Sequence, residues 1–181
     1  MINGHTETKK DELQLIQIKT LDELLSVWPF VKKGIEHIKD RDKSCGTWTA
    51  GQIFNAVKFG LPTAPQKTTA VELFVGMDGD TKLKGFMVTT PRLDPFMNNT
   101  PCGIHVWLLY SETKWNIVAS FLPQLERLGK VHGGDQIRFE SGRWGWCGRV
   151  GKLLVDTFGG TKLGRLGFRV HQVVFVKDIQ W

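Results

Sequence analysis

The sequence has 181 residues, of which 41% are hydrophobic and 23% are charged, so it is long enough to bury a core without disulfides and has an ordinary globular composition. No apolar run approaches the ~20 residues that a membrane-spanning helix needs, and the opening residues, MINGHTETKKDEL, lack the hydrophobic segment of a signal peptide. Cys45, Cys102 and Cys147 are too widely spaced for a CxxC site or a disulfide framework. We therefore expect a soluble, intracellular protein that is not secreted by a signal of its own.

The net charge of +6 is concentrated in the last third of the chain. Residues 129–181 carry nine basic and four acidic side chains, whereas residues 1–50 carry eight of each. Such a region favours an anionic partner, which could be a phosphate-bearing cofactor, a nucleic acid or an acidic protein surface. A basic face without any partner is the alternative, and no nucleic-acid recognition motif accompanies the charge.

In chain order, a polar arm over residues 1–12 comes first, and the alternating segment Leu13–Ile18 predicts a short strand. Thr20 and Glu23 then form a capping-box pattern before apolar residues at helical spacing, which predicts an amphipathic helix. Because proline lacks a backbone N–H, Pro29 predicts a kink or a break within this helix.

A second helix is predicted to begin with Thr47 or Thr49 as its N-cap and to end at Gly60–Pro62. The pattern then changes to a period of two. Two runs rich in β-branched and aromatic residues flank the turn residues Asp78–Asp80, which predicts a β-hairpin.

Residues 91–101, PRLDPFMNNTP, predict a loop. The nearly continuous apolar run Cys102–Tyr110 is typical of a central strand that is buried on both faces. A helix is predicted over Lys114–Leu128 with Gly129 as its stop, and Asp135–Glu140 predicts the next strand. A helix between two strands predicts a right-handed crossover that leaves the strands parallel and adjacent.

A helix starting at Ser141 and the alternating segment Leu166–Ile179, which predicts a terminal strand or a bent pair of strands, complete the chain. The predicted order is β-α-α-β-β-β-α-β-α-β, an α+β fold with a mixed sheet, as a single domain over residues 13–181. Trp144 and Trp146 lie two positions apart and so cannot share one helix face. They are interpreted either as core residues or as a stacking site.

Three stretches carry a resemblance to a known family. They are VWLLY at Val106–Tyr110, IRFESGRWGW at Ile137–Trp146 and LGF at Leu166–Phe168. Together with the element order, they make residues 13–178 similar to the GCN5-related N-acetyltransferase (GNAT) superfamily, and closest to short GNAT-like proteins encoded by tailed bacteriophages. The resemblance implies two central parallel strands that splay apart, and a location in the host cytoplasm or the virion.

The resemblance also implies acetyl-CoA, or another acyl-CoA, in the opening between the splayed strands. The pantetheine would follow the backbone of the first strand, and the pyrophosphate would lie at the N-terminus of the next helix, where free N–H groups favour an anion. The corresponding cofactor-binding positions are Leu108, Leu109, Tyr110, Ser111, Thr113, Lys114 and Trp115, with Arg149 as a further charge. The superfamily's glycine-rich turn, Q/R-x-x-G-x-G/A, is absent, because SETKW contains no glycine. Ser111 is equally well explained as a simple N-cap.

Amine acetylation needs a general base, and an acid near the leaving thiolate. The resemblance implies Glu140, at the end of the second splayed strand, as the base, with Glu112 as the other candidate. A salt bridge with Arg143 explains Glu140 equally well. Ser141 and Cys147 are the available donors where the family often has a tyrosine, since the single tyrosine of this chain is on the other strand. The histidines have no ligand spacing, so we expect no metal.

Two function classes follow. One is an acyl-CoA-dependent N-acyltransferase that acts on an amine of a protein, a peptide or a small molecule. The other is a non-catalytic phage structural or interaction protein, contacting neighbouring virion or homo-oligomer subunits, to which the arm 1–12 would bind. The retained topology favours the first, and the missing glycine turn and tyrosine favour the second. Nucleic-acid binding is a weaker third, and no membrane partner is expected.

Overall fold

The computed structural model describes residues 13–41, 48–79, 81–94, 100–112, 117–132 and 136–139. These contain, in chain order, β1 (Gln14–Gln17), α1 (Leu21–Arg41), α2 (Ala50–Gly60), β2 (Glu72–Met77), β3 (Leu83–Asp94), β4 (Thr100–Ser111), α3 (Ile117–Val131) and β5 (Gln136–Phe139). The predicted element order is confirmed as far as β5. The helix and strand predicted after it, and the arm 1–12, lie outside the described residues.

The chain divides into two compact units, Met1–Glu140 and Ser141–Trp181. The residues described here all belong to the first. In this unit the five strands form one sheet in the order β1-β2-β3-β4-β5. The first three pairings are antiparallel, and β4 and β5 are parallel, from Gly103 opposite Gln136 to Val106 opposite Phe139. The predicted mixed sheet with a parallel β4–β5 pair is therefore confirmed.

A capping box starts α1, as predicted. The Glu23 N–H donates to Thr20 Oγ1 at 3.2 Å, and the Thr20 N–H donates to Glu23 Oε2 at 3.2 Å. Of the kink or break predicted at Pro29, the break is wrong, because α1 continues through it to Arg41. Pro29 is exposed, so water can satisfy the carbonyl that loses its partner, while the buried Leu24 and Val31 anchor the helix on either side.

The N-cap of α2 is Thr49, one of the two predicted residues. Thr49 Oγ1 accepts from the Gln52 N–H at 3.2 Å, and Gln52 Oε1 accepts from the Thr49 N–H at 2.7 Å. The predicted end at Gly60 is also confirmed. A Cβ at Gly60 would collide with the backbone oxygen of Val71, so glycine allows the chain to pass close to the end of this helix.

The loop predicted over residues 91–101 is wrong at both ends. β3 continues to Asp94, and β4 begins at Thr100. Pro91, opposite Ile104, lies within this extension. β2 pairs with β3 only as far as Thr89, so beyond that residue β3 has β4 as its one strand partner in the described chain. Proline is tolerated on such an edge, because no second neighbouring strand needs its N–H.

The described helix α3 runs from Ile117 to Val131 and so passes through Gly129, where the sequence predicts its stop. The predicted start at Lys114 lies outside the described residues. Gly129 is buried in the last turn. One glycine costs a helix only about 1 kcal/mol relative to alanine, so the burial of this turn outweighs the stop signal.

Helices cover the sheet on both faces. Val75 packs in the core that α1 and α2 form on one face. The neighbouring Gly76 points to the other face, where a Cβ would lie 3.1 Å from the Phe121 ring of α3. The buried residues of the α1/α2 face are Ile18, Leu24, Val31, Ile35, Ile53, Val57, Leu61, Leu73, Val75, Phe86, Val88 and Leu108. No helix in the described part of the chain is long and apolar enough to cross a membrane.

Candidate functional site

The carboxyl end of β4 is paired on one side only within the described residues. β3 accompanies it as far as the pair Gly85–Ser111, whereas β5 accompanies it only as far as the pair Val106–Phe139. Residues 107–110 therefore offer backbone N–H and C=O groups toward the β5 side with no strand partner in the described ranges. An extended ligand can form hydrogen bonds with such an edge.

Three of the predicted cofactor-binding residues lie in this stretch. Leu108 is buried in the α1/α2 core, so its backbone alone can contact a ligand. Leu109 is half-buried. The half-buried Tyr110 ring lies 5.5 Å from that of Phe86 and 6.0 Å from that of Phe30, centroid to centroid. Tyr110 therefore packs between the sheet and α1, and its contribution to a ligand site on the strand edge would also come from its backbone.

Ser111 is the last residue of β4, so its interpretation as a helix N-cap is wrong. It is opposite Gly85, and the Glu112 N–H still donates to the Lys84 carbonyl oxygen at 2.9 Å. Extended pairing with β3 thus holds the chain here in a strand. The predicted residues of the helix start, Thr113, Lys114 and Trp115, lie outside the described residues.

The amino end of α3 lies on the chain just beyond β4, and it suits an anion. The first N–H groups of a helix have no partner within it, and they carry the positive end of the helix dipole. The first turn from Ile117 contains no acidic residue that would compete for them. A free strand edge followed by a helix amino end fits an extended ligand with an anionic terminus.

The second half of α1 crosses the same stretch of β4. A Cβ on Gly34 would lie 2.5 Å from Phe86 Cε1 and 2.7 Å from Tyr110 Cδ1, which shows how closely the helix backbone approaches. One turn further on, the His37 ring lies 5.6 Å from that of Tyr110, edge to face. The half-buried His37 and Tyr110 are thus adjacent beside the free edge.

Glu112, the second candidate for the base, follows β4 directly. Its Oε1 lies 3.2 Å from Lys33 Nζ of α1. The Lys33 side chain is 72% exposed and that of Glu112 is 35% exposed, so water screens the pair and it contributes little to stability. The Glu112 carboxylate remains accessible to solvent.

A β-bulge interrupts β4 at Trp107. Leu108 is opposite Val88, but Val106 is opposite the very next residue of β3, Thr89, so Trp107 has no partner there. Both Trp107 and Leu108 pack against the α1/α2 core. A bulge changes the direction of a side chain, and such bulges are frequent beside active sites.

Trp107 meets Trp48, which comes from the segment between α1 and α2. The ring centroids are 6.3 Å apart with an interplanar angle of 69°, and both residues are half-buried. Lys39 Nζ donates to the Trp48 carbonyl oxygen at 2.7 Å and lies 5.4 Å from its ring centroid. Sequence reasoning missed this pair, because nothing in the local pattern of either segment connects two tryptophans so far apart in the chain.

The predicted catalytic residues Glu140, Ser141 and Cys147, together with Arg149, lie outside the described residues. β5 ends at Phe139, the residue before Glu140. The roles of all four stay predictions. In the described part of the chain, no three His, Cys, Asp or Glu side chains are grouped as the ligands of a metal ion would be.

An open cavity of about 370 Å³ lies elsewhere, between the start of α1 and the β1–β3 part of the sheet. Its lining is largely apolar and includes Glu23. The Lys19 N–H at 2.7 Å and the Thr20 N–H at 3.2 Å donate to this carboxylate. These hydrogen bonds lower the pKa of Glu23, so its carboxylate charge already interacts with the backbone at the start of α1. The cavity therefore offers no free reactive group from Glu23.

No protein-family model matches this sequence, and no curated protein matches it. Solved structures do. A GNAT family acetyltransferase from Staphylococcus aureus matches with a TM-score of 0.55 at 9% identity, over 93% of this chain and 99% of its own. A ribosomal-protein-alanine N-acetyltransferase from Brucella melitensis matches with 0.55 at 10% identity, over 92% and 99%. An aminoglycoside acetyltransferase from an uncultured soil metagenomic sample matches with 0.53 at 10% identity, over 94% and 99%. At such identities the likeness concerns the fold, and the fold of this chain is that of GNAT acetyltransferases.

Proposed function

We propose that the protein is an acyl-CoA-dependent N-acyltransferase that transfers an acetyl group to an amine. The observation that carries this proposal is the edge of β4 at residues 107–110, which has no strand partner on the β5 side in the described part of the chain and is followed by the amino end of α3. The fold is one that solved acetyltransferases share. An edge and a helix terminus in this order suit a pantetheine and a pyrophosphate, respectively.

Acetyl-CoA, when bound, supplies an acyl group that is activated as a thioester. The backbone at Leu108, Leu109 and Tyr110 would hold its pantetheine. The pyrophosphate would lie at the amino end of α3, near Thr113, Lys114 and Trp115, with Arg149 as a further positive charge. Because the glycine-rich turn is absent, the backbone cannot approach the phosphates as closely. We therefore expect weak affinity that decreases as salt screens the charges.

The deciding experiment is isothermal titration of the full-length protein with acetyl-CoA at low and at physiological salt. Binding that weakens with salt, and weakens further in Lys114→Glu, supports the proposed site. The matched control is Lys130→Glu at the far end of α3, which makes the same change of charge and should leave binding intact. Absence of acetyl-CoA binding at low salt would reject the enzyme. Tight binding that Lys114→Glu leaves unchanged would reject the proposed phosphate site.

Glu140 is the proposed general base. An acceptor amine with a pKa near that of lysine, ~10.4, is protonated at neutral pH, so its proton must be removed before attack. Glu140→Gln keeps the shape and removes the basicity, and should lower turnover by roughly 10²–10⁴-fold. Ser141 and Cys147 are the proposed donors near the leaving thiolate. Glu112→Gln is the matched control. Wild-type turnover of Glu140→Gln, with loss of activity in Glu112→Gln, would transfer the role to Glu112.

The second candidate function is a non-catalytic structural or interaction protein of bacteriophage origin, located in the host cytoplasm or the virion. The feature that favours it is the segment SETKW, which has no glycine where the superfamily has its phosphate-binding turn. Neighbouring virion subunits or further copies of this chain would then be the partners, and residues 1–12 would bind them. Light scattering of the full chain and of a variant lacking residues 1–12 tests this. An unchanged molar mass, together with acetyl-CoA binding, would exclude it.

Nucleic-acid binding through the basic residues 129–181 is the weakest of the proposals, because charge alone carries it. Titration with a labelled duplex at physiological salt tests it directly.

A further inference from the structure

We infer that Trp48 and Trp107 form an acceptor-binding wall, and that the amine acceptor carries an aromatic or bulky apolar group. This inference rests on the proposed function. The fold does not determine the acceptor, since two of the matched structures are named for ribosomal-protein alanine and for an aminoglycoside. The specificity must therefore come from side chains of this chain.

Trp107 lies at the start of the edge of β4 that has no strand partner on the β5 side in the described chain. It follows Val106, the last residue of β4 that pairs with β5 there. The bulge gives Trp107 no partner on β3, yet the ring stays half-buried and packs against the α1/α2 core. A pantetheine on the free edge and a group against this indole would therefore be neighbours.

Trp48 is held in place by contacts within the protein. It directly precedes Thr49, whose capping box fixes the start of α2. Its carbonyl oxygen accepts from Lys39 at 2.7 Å, and its ring meets Trp107 edge to face at 6.3 Å. Two indoles held in this way form a preorganised apolar pair, and both residues keep part of their surface accessible, since each is half-buried.

Charge determines which group this surface accepts. Lys39 Nζ lies 5.4 Å from the centroid of the Trp48 ring. This ring therefore already makes a cation–π contact with a side chain of the protein itself. A polycationic acceptor would meet the Lys39 ammonium, and like charges at close range repel. An uncharged aromatic or bulky apolar group avoids this repulsion and stacks on the indoles. The reacting amine, on the same molecule, would extend toward the carboxyl end of β4.

The test compares acceptors in an assay of CoA release from acetyl-CoA by the full-length protein. In the step, the amine nitrogen bonds to the acyl carbon, the carbon–sulfur bond breaks, CoA leaves as the thiolate, and the amine proton passes to the base. We expect kcat/KM for 2-phenylethylamine to exceed that for butylamine and for spermidine by about tenfold or more. Trp48→Ala and Trp107→Ala should each remove most of this preference, chiefly through a higher KM for 2-phenylethylamine.

Trp28→Ala is the matched control. Trp28 forms another edge-to-face pair of the same core, with Phe54 at 4.8 Å, but this pair involves no residue of β4. It should lower stability and keep the preference for 2-phenylethylamine. A wild-type preference for spermidine would overturn the inference, as would an equal preference in wild type and in Trp107→Ala.

A binding measurement separates this inference from the proposed function. N-acetyl-2-phenylethylamine, the expected product, is uncharged and can be titrated without acetyl-CoA. Binding to wild type that weakens about tenfold in Trp107→Ala supports the wall, even if acetyl-CoA does not bind and the enzyme is rejected. No binding of the product, or equal binding by both proteins, overturns the wall even if acetyl-CoA binds.

Discussion

Replacing Gly34 with alanine tests how closely α1 approaches the sheet. The added Cβ would lie 2.5 Å from Phe86 Cε1 and 2.7 Å from Tyr110 Cδ1, which is 0.9 Å and 0.7 Å short of the 3.4 Å at which ordinary contact begins. Phe86 is completely buried, so its ring cannot move into solvent. Overpacking of this kind costs about 1–3 kcal/mol, and two rigid rings place Gly34→Ala at the upper end.

Alanine also favours the helix, which offsets about 1 kcal/mol of that cost. We therefore expect Gly34→Ala to lower the free energy of unfolding by about 2 kcal/mol, measured by urea denaturation with far-UV circular dichroism. The matched control is Gly51→Ala in α2, where the nearest atom to the new Cβ, Thr49 Oγ1, is 3.8 Å away. This control should be neutral or stabilising by up to about 1 kcal/mol.

A double-mutant cycle locates the cause of the loss. Leucine has no Cε atom, so Phe86→Leu removes the atom closest to the new Cβ, and Gly34→Ala should cost less in that background than in wild type. The reasoning is refuted if Gly34→Ala is as stable as Gly51→Ala. It is also refuted if the two substitutions at 34 and 86 are additive, because the clash would then not involve Phe86.

Three further predictions concern local structure. Thr49→Ala should lower the free energy of unfolding by about 1 kcal/mol through loss of the N-cap, measured by the same denaturation, while the serine variant should retain it. Thr81 has a φ of 62° in the turn before β3, so Thr81→Asn should raise the melting temperature and stabilise by up to about 1 kcal/mol, because asparagine tolerates this conformation. The N–H groups of Lys19 and Thr20 lower the pKa of Glu23 from its ordinary 4.5. The carboxylate therefore contributes its full stabilisation above pH 4.5, and this contribution is lost as the pH falls through the lowered pKa. Glu23→Ala should accordingly have a lower free energy of unfolding than wild type at pH 7, and nearly the same one at a pH below the lowered pKa.

The sequence predicted those features that depend on neighbours in the chain. The capping box at Thr20 and the N-cap at Thr49, one of the two candidates, are patterns within four residues, and the hairpin around Gly79 is another. The parallel pairing of β4 and β5 was also predictable, because a helix between two strands leaves little other choice of topology.

Features that depend on distant partners were not predictable. Pro91 suggested a loop, but a strand with one remaining partner tolerates proline, and only the register of the sheet reveals that β3 has reached such a position. Likewise, Gly129 suggested a helix end, and its burial in α3 outweighed that preference.

The candidate site shows the same division. The strand Cys102–Tyr110 and the helix after it were recognisable, and with them the place for a cofactor. The surroundings of Tyr110, made by Phe30, His37 and Phe86, come from other elements. The meeting of Trp48 with Trp107 likewise depends on where α1 ends relative to a bulge in β4, which no local periodicity encodes.

The agreement between strand order in the sheet and strand order in the chain has a consequence for folding. Among the five described strands, none has to insert between two that are already paired, so this part of the sheet can grow outward by addition at its edges. The hairpins of β2, β3 and β4 join neighbours in sequence and close short loops at small entropic cost. β1 must wait until both helices have been passed, since Gln17 is opposite Phe74. We expect the β2–β4 meander to form the nucleus, with high φ-values at Val75 and Val88, and β1 to join it later with low ones.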